Sequence, residues 1–174
     1  MNNKSGLLDL IKTRVLVADG AMGTMIQRFD LSLDDFNGLE GCNEILNETK
    51  PEIIEQIHLE YFEAGSDAVE TNSFGCNLAN LAEYGIEDQI FELSRLSSVI
   101  ARKAADQING NRFVIGSIGP GTKLPSLGHT DFKTLFDAYS LNSRGLLEGG
   151  ADALLIETAQ DLLQAKAAIL AGQI

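Results

Sequence analysis

Four short apolar runs punctuate the chain, each ending in a polar, glycine or hydroxyl residue. They are Val15-Leu16-Val17-Ala18 before Asp19-Gly20, Val69 before Glu70-Thr71-Asn72, Phe113-Val114-Ile115 before Gly116-Ser117, and Ala153-Leu154-Leu155-Ile156 before Glu157-Thr158. The runs are continuous rather than alternating, the pattern of strands buried on both faces of a parallel sheet. Between them the apolar spacing becomes helical. Thr49-Lys50-Pro51-Glu52 has capping-box spacing with proline in the first turn, and Ile53, Ile54, Ile57 and Tyr61 follow before Gly65. A second helix is expected from about Asp88 to Ile108, with Leu93, Leu96, Ile100 and Ala104 on one face. A third starts near Thr130, carries Phe132, Leu135, Phe136 and Tyr139, and stops at Gly149-Gly150. A fourth begins near Asp161 with Leu163, Ala167 and Leu170, and keeps its helical character to Ile174.

The resulting β-α-β-α-β-α-β-α order implies a parallel sheet with right-handed crossovers. An internal echo supports the register. Glu63-Ala64-Gly65-Ser66-Asp67-Ala68 is matched by Glu148-Gly149-Gly150-Ala151-Asp152-Ala153, and each leads through an apolar strand to a Glu-Thr pair. Gly-x-Asp-Ala is also a serviceable helix-to-strand turn, so the echo alone leaves open whether it serves structure or function. Four βα units are half of a (β/α)8 TIM barrel. An open doubly wound sheet is the competitor, disfavoured because no GxGxxG follows the first strand and polar residues stand at every strand end. The expectation is one domain over residues 1–174, the N-terminal half of such a barrel.

Composition narrows the partners. A net charge of −12 opposes binding to nucleic acid or to an anionic membrane surface. The first residues form no signal-peptide core, and no apolar run is long enough to span a bilayer. Cys42 and Cys76 form no CxxC, so reduced thiols in the cytoplasm are expected.

Specific motifs lie at the strand ends. Asp19-Gly20-Ala21-Met22-Gly23-Thr24, Asn43-Glu44, Thr49-Lys50-Pro51 and Ile57-His58 come first. Tyr61-Phe62-Glu63-Ala64-Gly65-Ser66-Asp67, Glu70-Thr71-Asn72-Ser73-Phe74, Gly116-Ser117-Ile118-Gly119-Pro120 and the stretch from Glu148 to Thr158 follow in order. Together they resemble the homocysteine S-methyltransferase family over nearly the whole chain, and most closely its cobalamin-dependent methionine synthase branch.

The resemblance implies methyl transfer to the zinc-bound thiolate of homocysteine, giving methionine. Zinc would remove the thiol proton at neutral pH. Methylcobalamin would be the methyl donor, although betaine- and S-methylmethionine-dependent relatives share the fold. The partners implied are homocysteine and the folate and cobalamin modules of a longer parent chain.

By the same resemblance Asp19 and Glu157 bind the substrate ammonium, a charge-assisted arrangement. The Gly20, Ala21 and Met22 backbone would face the substrate carboxylate. Glu70, Asn72, Ser73 and Ser117 would line the site. The family's zinc thiolates come from later strands, so no metal ligand and no catalytic residue is expected within this chain. Methyl transfer by it alone is not expected. Cys42, Cys76, His58 and His129 have no metal-ligand spacing and are expected to be structural. The alternatives are a non-catalytic amino-acid-binding or interaction module derived from the same barrel, and a lyase or aldolase using Asp19 and Glu157 as acid and base.

Overall fold

The computed structural model describes residues 6–173. Helix α1 (Leu7–Ile11) and α2 (Met22–Ile26) precede a 3-10 turn (Asn43–Ile45), α3 (Leu46–Thr49) and α4 (Pro51–Glu63). Strand β1 (Ala68–Glu70) then leads to α5 (Leu78–Glu83) and α6 (Ile90–Gln107). Strand β2 (Phe113–Ile118), α7 (Phe132–Glu148), β3 (Ala153–Ile156) and α8 (Leu162–Ala171) complete the order. Among the described residues no helix is long and apolar enough to cross a membrane.

The strands form one parallel sheet in the order β1-β2-β3. Its two faces differ. Val69 and Val114 pack with Phe62, Ala101, Ala104 and Ala105 of α4 and α6. Ile118, Leu154 and Ile156 pack with Leu135, Leu146 and Ala167 of α7 and α8. Alternation along each strand therefore turns Glu70, Ile115, Ser117, Leu155 and Glu157 to the other face. With the long helices on one side, the layer has the sidedness of a barrel wall rather than of a doubly wound sheet.

Several sequence expectations need correction. Val15–Ala18 is not a regular strand: it joins the sheet through one parallel bridge, Ala18 to Ala68. Val15 and Val17 remain 85% and 57% exposed, so this run is not buried on two faces. Leu155 is exposed as well, so β3 is covered only on its helix side. The capping box does not form, because Thr49 closes α3 and its hydroxyl donates to Ile45 O at 3.2 Å. Lys50 stands at the N-cap of α4 without a side-chain cap. In α8 the buried face is Gln164, Ala167, Ala168 and Ala171, whereas Leu163 and Leu170 point outward. Helix α8 ends at Ala171 with Gly172 as its C-cap, short of the expected Ile174, which itself lies outside the described residues.

The Gly-x-Asp echo has a structural meaning. Asp67 receives Arg14 Nη1 and Nη2, each at 2.7 Å, and the Val17 N–H at 3.0 Å. Asp67 N donates in turn to Val17 O at 2.7 Å. Asp152 repeats this two strands later, ahead of β3, receiving Val114 N–H at 2.8 Å and the Arg102 guanidinium, while its own N–H reaches Val114 O. Each aspartate therefore ties the start of its strand to the preceding strand. The glycines two residues earlier, Gly65 (φ 112°) and Gly150 (φ 105°), adopt the left-handed turn that delivers it. Arg14 holds the Asp67 carboxyl at about 2, mainly by its hydrogen bonds. A depressed acid contributes stability in full above its unfolded value near 3.9, and that stability is lost as pH falls toward 2.

Asp67→Ala should lower unfolding stability by about 2 kcal/mol at pH 7, because it leaves the Val17 N–H and Arg14 without their acceptor. Urea denaturation measures this. Asp67→Asn should flatten the loss of stability between about pH 4 and pH 2; an unchanged acid limb would show that the pair contributes nothing.

Candidate functional site

The C-terminal ends of the strands surround a cavity of about 400 Å3 on the face away from the helices. All nine residues singled out from the sequence line it: Asp19, Gly20, Ala21, Met22, Glu70, Asn72, Ser73, Ser117 and Glu157. Five further residues complete the wall: Gly23, Asn43, Glu44, Thr71 and Phe74. Register explains the gathering. Glu70 pairs with Ile115 and Ser117 with Leu155, so the polar ends of adjacent strands climb in steps on one face.

A hydrogen-bonded chain fixes these ends. Thr71 Oγ1 accepts the Ser117 N–H at 3.0 Å and lies 2.6 Å from Ser73 Oγ. Ser73 Oγ donates to Ser117 O at 2.7 Å, and Ser117 Oγ donates to Glu157 Oε1 at 2.6 Å. Thr158, immediately after Glu157, has φ 53°, an uncommon conformation for a β-branched residue. It turns the chain away as soon as the carboxylate has been presented. Asn72 is occupied elsewhere: its amide donates to Asn43 O at 2.8 Å and Asn47 Oδ1 at 3.0 Å. Asn72 and Ser73 therefore hold the wall together with their side chains.

Asp19 sits above the bridged first segment. Its Oδ1 accepts the Glu70 N–H at 3.0 Å, joining that segment to the end of β1. Beside it, Gly20 leaves room for Tyr61, whose hydroxyl would lie 3.2 Å from a Cβ at that position. Burial is the main force raising the Asp19 carboxyl to about 7, and the nearby Glu70 charge adds to it. Glu70 is also raised, first by burial and then by Glu157.

Four carboxylates thus line one cavity, and none of its described lining residues is lysine, arginine or histidine. Such a cavity favours a compact cation with hydrogen-bond donors. A bound ammonium would convert the raised carboxyls to their ionised forms.

Neither cysteine belongs to this wall. Cys42 and Cys76 are buried thiols in an apolar cluster with Ile45, Leu81, Ile90 and Leu93. Burial pushes Cys42 up to about 11 and Cys76 well above the ordinary range. His58 is wholly buried and lowered to about 4 by burial. Among the described residues no three His, Cys, Asp or Glu side chains are gathered to hold a metal ion.

Residues 16–174 match the homocysteine S-methyltransferase family. The chain belongs to that family. It is 59% identical over 170 residues to the methionine synthase of Mycobacterium tuberculosis and 58% identical to that of Mycobacterium leprae, covering 96% of this chain in each case. It spans only 14% of the length of these relatives. Among solved structures it is similar to the Escherichia coli homocysteine methyltransferase MmuM. The metallated form aligns with TM-score 0.74 and 28% identity over 92% of this chain and 60% of that one. The oxidized form gives TM-score 0.73 and 27% identity over 94% of this chain and 60% of that one. This α/β layer is therefore similar in fold to a homocysteine methyltransferase.

The raised Asp19 carboxyl carries a folding cost. A carboxyl raised from about 4 to about 7 lowers folding stability as pH rises through that window, because the unfolded chain gives up its proton first. A rise of that size corresponds to at most about 4 kcal/mol, and residual solvent at Asp19 reduces this. Asp19→Asn keeps an acceptor for the Glu70 N–H and should gain stability relative to the native chain at pH 8 but not at pH 4. Urea unfolding at the two pH values decides it, and equal differences at both would show that Asp19 titrates normally.

Proposed function

We propose that residues 1–174 form the opening half of a homocysteine-binding (β/α)8 barrel and carry the amino acid end of its substrate site. The whole protein would transfer a methyl group to homocysteine sulfur and yield methionine. The observation that carries this reading is the cavity lined by Asp19, Glu44, Glu70 and Glu157 in a member of the homocysteine S-methyltransferase family.

Asp19 and Glu157 take the substrate ammonium from two sides. Ser117 holds Glu157 Oε1 through its hydroxyl, and the Thr158 hydroxyl reaches Oε2 at 3.5 Å. Glu70, held high by burial and by Glu157, lends its charge once the ammonium arrives. The backbone from Gly20 to Met22, where α2 starts without a side-chain cap, takes the substrate carboxylate. Asn72 and Ser73 keep the wall in register. The chain's own contribution is thus to bind the α-amino acid group and orient the thiol end outward.

Zinc and methylcobalamin belong to this reading only as groups of a longer protein. The described residues do not supply a thiolate set for the metal, since Cys42 and Cys76 are buried away from the cavity and no three candidate ligands converge. No step is therefore assigned to zinc within this chain. The folate and cobalamin modules would be partners within the parent chain, consistent with the much greater length of the methionine synthase relatives. The free thiols suit the cytoplasm.

Calorimetric titration with L-homocysteine under reducing conditions tests the reading. Binding is expected, weakening about tenfold or more for Asp19→Asn and for Glu157→Gln. Affinity should fall as pH drops below about 7, since Asp19 must lose its proton to meet the ammonium. A des-amino thiol acid should not compete. Equal affinity for the analogue lacking the amino group would overturn the assignment.

A further inference from the structure

We propose that Glu44 is a positioning residue for this cavity, clamping the turn that follows β1 so that Ser73 and Phe74 form its wall. The proposal deepens the amino-acid-site reading and rests on it for its ligand. Glu44 lies in the 3-10 turn ahead of α3, far in sequence from any strand. Its Oε1 accepts the Gly75 N–H at 2.8 Å. The approach depends on Gly75 having no side chain, because a Cβ there would fall 2.6 Å from Glu44 Cδ and 2.8 Å from Oε2.

A second tie lies one residue away, where Asn72 donates to Asn43 O. Residues 43–44 therefore strap the end of β1 at two points. The strapped turn is tight: Cys76 N donates to Ser73 O at 2.9 Å and Asn77 N to Gly75 O at 2.7 Å. On its far side Phe74 lies against Gly119, where a Cβ would come within 2.9 Å of the Phe74 ring. Phe74 is consequently held between the loop after β2 and the Glu44 strap, with its ring partly exposed at the cavity.

The surroundings of Glu44 make it harder to ionise than an exposed glutamate. The titratable groups facing it are Cys42 on its own turn, Cys76 on the strapped turn and Tyr84 after α5. None of these is cationic. The Cys42 thiol, 3.9 Å from Oε2, remains protonated and is its donor there. Burial pushes the Glu44 carboxyl above the usual carboxylate range. A neutral acid suffices for the clamp, since Oε1 needs only to accept one backbone N–H. This separates Glu44 from Asp19 and Glu157, whose charge the proposed ligand requires.

Three proteins decide the matter: native, Glu44→Ala and Glu44→Gln. Two readouts are taken, amide hydrogen exchange at Ser73–Cys76 without ligand and homocysteine affinity by calorimetry. Glu44→Ala should speed exchange at Gly75 and its neighbours about tenfold or more and weaken homocysteine by a similar factor, because the N–H loses its acceptor. Glu44→Gln, which keeps the acceptor and removes the charge, should recover most of both losses. Native exchange at Gly75 in Glu44→Ala would overturn the clamp. A glutamine variant that loses affinity as fully as alanine, with exchange intact, would overturn positioning in favour of direct charge contact. Should the native chain fail to bind homocysteine, the amino-acid reading falls, and the exchange data still decide the clamp by themselves.

Discussion

The level at which neighbouring strands run is set where Asp67 and Asp152 grip the strand before their own. Side-chain direction in a strand has a period of two, so a slip of one residue would turn Glu70, Ser117 and Glu157 into the helix layer. A parallel sheet has no tight hairpin turn to prevent such a slip. Here an arginine-backed carboxylate does so between the first segment and β1 and again between β2 and β3, accepting one backbone N–H and returning its own. The cavity at the opposite end inherits its shape from these grips.

The cavity itself works against its own folding. Four acids face a shared space, and burial makes Asp19 and Glu70 harder to ionise. Strand-top hydroxyls offset part of the strain by threading Thr71, Ser73, Ser117 and Glu157 into one network. Tertiary structure therefore stores an unmet demand for positive charge. In the proposed reading a ligand carrying an ammonium would supply it, exchanging protons for a fixed contact. Selectivity would then follow from charge, since an anion offers the acids nothing to pair with.

Much of this was legible in the sequence because buried parallel strands and amphipathic helices leave strong periodic traces. The strands at 113 and 153 and the long helices α6 and α7 stand where the apolar pattern puts them. The first run failed as a regular strand because Val15 and Val17 have no neighbour to cover them. Thr49 misled because its hydroxyl serves the helix it ends rather than the one it precedes. The pattern groups Leu163 and Leu170 with Ala167, yet α8 buries Ala167 with Gln164, Ala168 and Ala171 and leaves both leucines outward. The nine candidate residues converge since each sits at a strand end or just beyond. Glu44 escaped because it reaches the cavity from an irregular segment, where periodicity carries no information; the only signal was the Asn43-Glu44 pair itself.

The flanks of the sheet have a colloidal consequence. Val15 and Val17 are exposed at one side, and Leu155, Leu162 and Ile169 toward the other. Surfaces of this kind recruit further strands, whether from the same protein or from another copy. The chain also carries a net charge of −12. Like-charged copies repel beyond contact range, and that repulsion fades once salt shortens the screening length below about 8 Å. The net negative charge therefore sets up a repulsion between copies that is strongest in dilute salt and weakens as salt is added.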